Sequence, residues 1–291
     1  MRKRFFLESK LENAVQLLQS EGFAGAYSFI FLIRWASLAG DKALLQRVGK
    51  SLEEMDSFRE SASLAYVYAE YYEASRATFC EPAAAFLIGR CAEEDPLYLA
   101  ALAKCARVFR REEFFALARP LADECPPADP FAALGLLELY RATFHGEYLN
   151  RAVAVAEEIR LRFRELFSPD EAYDGEEPSF NSAVALLYDE LARLTQEEQW
   201  VKAREVQNRF ISLLADRYPT RVSFGLCALL SDAFEAKTIV CAVPEGKEPP
   251  ELDALLSFYA PLTERIVIPT KTDTVKYFLM QNGKLEEIKG I

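Results

Sequence analysis

The 291-residue sequence holds one histidine, His145, which leaves no set of imidazoles from which a His-based zinc site could be built. Its six cysteines, Cys80, Cys91, Cys105, Cys125, Cys227 and Cys241, never fall at CxxC spacing, so a zinc knuckle and a thioredoxin-like redox pair are both excluded. Most lie inside apolar helical patterns and read as buried free thiols. Cations are in the minority, with 34 Lys and Arg against 45 Asp and Glu for a net charge of −11, which opposes binding to nucleic acid. Long apolar runs are missing too. The nearest approach, Ala24 to Ile33, ends at Arg34, and the basic opening MRKRFF meets Glu8, Lys10 and Glu12 before a signal-peptide core could form. These absences predict a cytoplasmic protein with no membrane or nucleic-acid partner, no metal and no cofactor.

What is present is a helical grammar. A 3.6-residue apolar period recurs between short turns marked by Gly, Pro, Asp or Asn, and predicts twelve helices. They fall near 5–20, 24–39, 41–56, 59–79, 81–94, 95–109, 111–125, 129–145, 146–167, 179–195, 197–217 and 219–235. Even-numbered segments such as AGAYSFIFLIRWASLAG and SASLAYVYAEYYEA are apolar nearly all round. Odd-numbered ones such as DKALLQRVGKSLEEM carry one apolar stripe and a charged face. Helices apolar on every side must be buried, and amphipathic ones cover them, so the alternation predicts an inner ring inside an outer ring. The 34-residue spacing from Phe114 to Tyr148 also suggests an open solenoid of tetratricopeptide type, but the next comparable anchor, Trp200, lies 52 residues on and the Trp, Gly and Tyr pattern of those repeats is missing.

After Ala236 the pattern changes. TIVCAV and RIVIP read as buried strands, PELDALLSFYA as a helix between them, and KYFLMQNGKLEEI as a hairpin turning at Asn282-Gly283. The prediction is a mainly α chain: an (α/α)6 toroid over 1–235 with a small α/β extension over 236–291 packed on it. The extension lacks a glycine-rich phosphate loop, which argues against nucleotide binding there.

Three stretches, LLELYRATFHGEYLNRAVAVAEEI, EPSFNSAVALLYDELARLTQEEQW and the tail from KTIVCAVPEG, carry a family resemblance. The chain resembles the C-terminal part of YyaL-type thioredoxin-domain-containing proteins, relatives of spermatogenesis-associated protein 20. The match runs with gaps over most of the chain, and its most specific piece is Glu177-Pro178-Ser179 with Asn181-Ser182. The resemblance implies an (α/α)6 toroid of the N-acylglucosamine 2-epimerase and six-hairpin glycosidase type. Departures bear on function. The thioredoxin-like domain and its cysteine motif are missing from these residues, and the family's Gly-rich, His-containing loop shrinks to MDSFRESASLAYVYAE. Within that stretch Glu60 takes the place of a family aspartate, and Met280 and Leu285 stand where family cysteines would fall. His145, at the end of an inner helix, sits on the rim opposite the chamber mouth.

In such a toroid the mouth gathers Tyr27, Ser28, Arg59, Glu60, Asp95, Tyr98, Glu176, Glu177, Ser179, Asn181, Ser182 and Arg221. Two readings of EPSFNS are open: Ser179 or Ser182 caps the tenth helix behind a stiffening Pro178, or Asn181 and Glu177 face inward and bind a polyhydroxylated ligand. Glu60 and Glu177 form the candidate carboxylate pair, since glycosidases place an acid and a base or nucleophile ~5–9.5 Å apart. Tyr27, Arg59, Tyr98, Ser179, Asn181 and Ser182 are the candidate ligand-binding residues. Tyr66, Tyr68, Tyr71 and Tyr72 fall at helical spacing and read mainly as core, while Arg34 and Arg141 are expected to pair with carboxylates such as Glu70 and Glu138. Two functions stand at this point. One is a degenerate member of the epimerase-like toroids, binding a carbohydrate or other polar small molecule in its chamber with little or no catalysis. The other is a non-catalytic helical scaffold for protein partners. The shared fold speaks for an enzyme and the missing histidine and cysteine motifs speak against one.

Overall fold

The computed structural model describes residues 2–21, 25–55, 61–91, 94–166, 172–175, 177–245, 259–271, 273–281 and 284–288. Among them are twelve α-helices and a four-stranded sheet. The odd-numbered helices are α1 (Arg2–Ser20), α3 (Lys42–Glu53), α5 (Cys80–Ile88), α7 (Glu112–Asp123), α9 (Gly146–Leu166) and α11 (Glu198–Ala215). The even-numbered ones are α2 (Ala26–Ala39), α4 (Ala62–Ser75), α6 (Tyr98–Phe109), α8 (Pro130–Thr143), α10 (Phe180–Thr195) and α12 (Ser223–Ala233).

The two sets pack differently, as their side chains require. Ten consecutive residues of α2, Tyr27 to Ala36, are buried, whereas α3 buries only Leu44, Val48, Gly49 and Leu52. Each even helix packs on the next even one: α2 on α4, then α6, α8, α10 and α12, and α12 packs back on α2. The odd helices from α3 to α11 each touch the two even helices that flank them in sequence, and α1 packs on α12. Helix starts are set locally. Asp41, Ser61, Asp129 and Ser179 are N-caps whose side chains accept a backbone N–H from Leu44, Leu64, Phe131 and Ser182 respectively, satisfying donors that the helix leaves orphaned.

Five even helices also end alike. Gly40, Arg76, Arg110, Phe144 and Gln196 follow α2, α4, α6, α8 and α10, each in the left-handed region with φ of 69°, 61°, 56°, 54° and 57°, and each donates its N–H to the carbonyl four residues back. Glycine adopts this conformation freely, while other residues incur about 1–2 kcal/mol. Four of the five positions carry a side chain all the same.

The strands are β1 (Lys237–Pro244), β2 (Thr263–Thr270), β3 (Lys276–Gln281) and β4 (Lys284–Ile288), in the order β2-β1-β3-β4. β1 runs parallel to β2, with Thr238 opposite Glu264, and antiparallel to β3; β3 and β4 are antiparallel, as the expected hairpin requires. The sheet lies against α10, and its small core of Ile239, Cys241, Val243 and Tyr277 receives Phe144 from the end of α8. The expected helix PELDALLSFYA and the Asn282-Gly283 turn lie outside the described residues, apart from Tyr259 and Ala260. Cys80, Cys105, Cys227 and Cys241 are buried, and the cysteines are free thiols. No described helix is long and apolar enough to cross a membrane.

Candidate functional site

Tyr27, Glu177, Ser179 and Ser182 lie around an organiser that pattern reading missed, while Asn181 turns to α11. Asp174 is buried and accepts two backbone N–H bonds at 2.9 Å, Ser179 on Oδ1 and Phe224 on Oδ2. It ties the start of α10 to the start of α12. Burial raises its pKa, and the hydrogen bonds from Ser179, Ser182 and Phe224 only partly offset that. Ser179 is the cap of α10, with its Oγ accepting the N–H of Ser182 at 3.1 Å, and both serines are buried.

Glu177 is half-buried and accepts the hydroxyl of Ser63, at the start of α4, at 2.7 Å. Tyr27, on α2, donates to the carbonyl of Gly175; burial first, then the charges of Asp174 and Glu177, push its hydroxyl up to about 12. Tyr98 is buried at the start of α6, preceded by Asp95, whose Oδ2 accepts the N–H of Ala62 at 3.2 Å. Asn181 is 0% exposed, and its carbonyls face α11, where Gln207 donates to the backbone oxygen at 3.3 Å and to Oδ1 at 3.5 Å. Arg59, Glu60 and Glu176 lie outside the described residues.

Below the mouth, Tyr66, Leu97, Leu134, Leu186 and Phe224 meet around a void of only about 10 Å³. Next comes a layer of charge. Arg34, Glu70, Lys104, Glu138 and Glu190 each stand six residues before the left-handed residue that ends their helix, so α2, α4, α6, α8 and α10 place them at one depth. With Arg141, one turn further along α8, they form a closed circuit of alternating sign. Arg34 meets Glu70 at 3.0 Å, Glu70 meets Lys104 at 2.7 Å, Lys104 meets Glu138 at 3.9 Å, Glu138 meets Arg141 at 3.3 Å, Arg141 meets Glu190 at 3.1 Å, and Glu190 returns to Arg34 at 3.9 Å. Tyr66 joins by donating to Glu138 at 2.9 Å, which places it in the core as expected, and Arg34 and Arg141 pair with the anticipated Glu70 and Glu138.

Three residues further along lie Glu73, Arg107, Arg141 and Arg193, and from the sheet Glu264 pairs with both Arg141 and Arg193. Tyr259 reaches in from the same side and donates to Glu70 at 2.8 Å. A cavity of about 50 Å³ remains between the circuit and β2, and by volume and polarity it suits a few waters. Burial alone would neutralise these carboxylates. The guanidinium and ammonium groups outweigh it: Lys104, Arg141 and Arg107 hold Glu138 at about 2, Arg141 and Arg193 hold Glu264 at about 2, and Arg34 and Lys104 hold Glu70 well below the carboxylate range. For Glu190 burial wins and its pKa is raised in spite of Arg141, Arg34 and Arg193. Glu138 and Glu264, held near 2, stay ionised at neutral pH, so their ion pairs with Arg141 and Arg193 persist there.

The circuit had a signal in the sequence, namely charges three apart inside otherwise apolar helices: Glu70 and Glu73, Lys104 and Arg107, Glu138 and Arg141, Glu190 and Arg193. Among the described residues, no group of His, Cys, Asp and Glu has the arrangement of a metal site. Comparison with protein-family models and with curated proteins gives no match.

Proposed function

We propose that the chain is a degenerate (α/α)6 toroid, akin to the N-acylglucosamine 2-epimerase-like proteins that EPSFNS resembles, and that it works as a non-catalytic helical scaffold. The return of α12 onto α2 supports the toroid. The observation that carries the scaffold reading is that the centre is filled among the described residues. Voids of about 10 and 50 Å³ compare with roughly 300–1,000 Å³ for ordinary ligand pockets. The place where a toroid enzyme would hold a sugar is taken by Phe224, Leu134 and the charge circuit. In this reading the ion pairs replace a substrate as the interior's polar content and fix the register of the helices.

A second reading keeps a polyol at the mouth. It is favoured by Glu177, half-buried beside Tyr27 and Ser63, in the position that the family resemblance marks. A thermal-shift series with monosaccharides, amino sugars and their phosphates separates the two, because a ligand that binds only the folded state raises the melting temperature by mass action. The scaffold reading expects no concentration-dependent shift. A saturable shift that disappears in Glu177→Ala would overturn it in favour of the polyol.

A further inference from the structure

Away from the centre, a cleft of about 650 Å³ lies on the outside of the molecule between α1 and α11. Leu229 of α12 forms its floor, and Phe6, Leu7 and Leu213 form apolar walls. Lys10 pins the two outer helices together beside it, meeting Asp216 at 2.7 Å and donating to the hydroxyl of Ser212 at 2.7 Å. Phe6 and Leu213 are each 68% exposed, and so is Val206, seven residues before Leu213 and therefore on the same face of α11. On the other outer helices the exposed large apolar side chains among the described residues stand singly: Phe86 on α5, Leu117 on α7 and Leu161 on α9. Single ones are ordinary, whereas three rimming one hollow mark a contact surface.

The charges on this face point to what covers it. Arg204 and Arg209 line the cleft against Glu205 and Asp232, so it is locally neutral on a chain of net charge −11. Arg204 stands 3.9 Å from both Asp189 and Asp232. Glu205 and Arg209 are exposed, and neither has an ion-pair partner among the described residues. A strongly basic partner would meet no excess of carboxylates here, and a strongly acidic one no excess of cations. A second copy, which the acidic chain repels in general, is not repelled by this face. An isologous interface needs one patch that carries both members of each complementary pair, and here protruding apolar side chains adjoin a hollow and free cations adjoin free anions.

We propose that this face joins two copies of the chain in a two-fold dimer, with Phe6 and Leu213 of each copy seated in the other's cleft and Arg209 of each paired with Glu205 of the other. Apolar side chains buried at the middle supply the affinity, and the reciprocal ion pairs fix the register. The dimer goes beyond the scaffold reading and does not depend on it, since the cleft is remote from both the mouth and the charge circuit.

The test is sedimentation velocity over a micromolar concentration range, with the parent protein, Leu213→Ser, Arg209→Glu, Glu205→Arg and the double charge reversal. All three positions are exposed, so the variants should keep the parent's fold, which far-ultraviolet circular dichroism checks. The expected result is a parent that sediments at twice the mass of one chain. Leu213→Ser and each single reversal should raise the dimer Kd about tenfold or more, because every change acts twice across the axis and each reversal sets like charges face to face. The double reversal restores opposite charges between the copies and should recover the parent's affinity, which a nonspecific effect of the substitutions would not allow. A parent that is monomeric at every concentration, a dimer unmoved by Leu213→Ser, or a double reversal no tighter than the single ones would each overturn the proposal.

Discussion

Glu264 grips Arg141 through both carboxylate oxygens, Oε1 to Nη2 at 3.0 Å and Oε2 to Nε at 3.2 Å, and its Oε1 also pairs with Arg193. One side chain of β2 thereby anchors α8 and α10, 123 and 71 residues away in sequence. Removing one partner of a buried ion pair strands the others without compensation, which typically costs about 3–5 kcal/mol. Glu264→Ala should lower the unfolding free energy by about that amount, and Glu264→Gln, which keeps an acceptor, by less. Urea denaturation at neutral pH measures both, and a loss under about 1 kcal/mol for Glu264→Ala would mean that the sheet is anchored by its apolar contacts instead.

The same residue sets a pH dependence. Glu264 and Glu138 have folded pKa values of about 2, below their ordinary value of 4.5. A carboxyl depressed on folding contributes stability that is complete above its unfolded pKa and is lost as pH falls through the folded one. Their contribution should therefore fade from about pH 4.5 down to about 2. Glu190, Asp189 and Asp174, whose pKa values are raised by burial, act with the opposite sign and lose stability as pH rises through the carboxylate range. The discriminating measurement is the stability gap between the parent protein and Glu264→Gln: it should be widest near neutrality and narrow steadily below pH 4.5. A gap that stays constant to pH 3 would show that Glu264 is not held ionised by Arg141 and Arg193.

Asp174 joins two helix starts, so its removal should exceed the loss of a cap. Ser179→Ala deletes the capping oxygen and should cost about 1 kcal/mol. Asp174→Ala leaves the buried N–H groups of Ser179 and Phe224 without their acceptor, at about 1–3 kcal/mol each. Asp174→Asn, which keeps one acceptor, should fall between these. Hydrogen exchange locates the effect: Asp174→Ala should lower protection at the starts of both α10 and α12, and confinement to α10 would reduce Asp174 to a local turn residue.

The division into apolar and amphipathic helices was legible because burial on all sides and burial on one side leave different periodicities. Arg34–Glu70 and Arg141–Glu138 were legible for a related reason, since a charge on an all-apolar helix needs a partner. The rest of the circuit was not. Whether Glu190 meets Arg34 across the ring depends on the depth at which each helix is cut off, and that is fixed by left-handed ends that only Gly40 advertises in its residue type. Asn181 shows the limit at the mouth: its place one residue into α10 is written in the sequence, but the face it takes, toward Gln207 of α11, follows from helix rotation. Asp174 was hidden because an acceptor five residues before a cap has no periodic signature.

Gly135 tests the close approach of α6 to α8. A Cβ placed there would lie 2.5 Å from Cγ of Leu99 and 2.8 Å from its Cδ2, and all of the nearest atoms belong to that one side chain. Gly135→Ala gains about 1 kcal/mol of helix propensity but forces a buried leucine from its place, and overpacking typically costs about 1–3 kcal/mol. The net should be a modest loss. Leu99→Ala alone should cost about 2–5 kcal/mol through its cavity. Because the obstacle to the alanine at 135 is Leu99 itself, the double variant should be more stable than the two single losses predict, with a coupling of at least about 0.5 kcal/mol. Strict additivity in urea denaturation would mean that the helices separate rather than repack, and that the inner helices are not locked at the spacing this glycine allows.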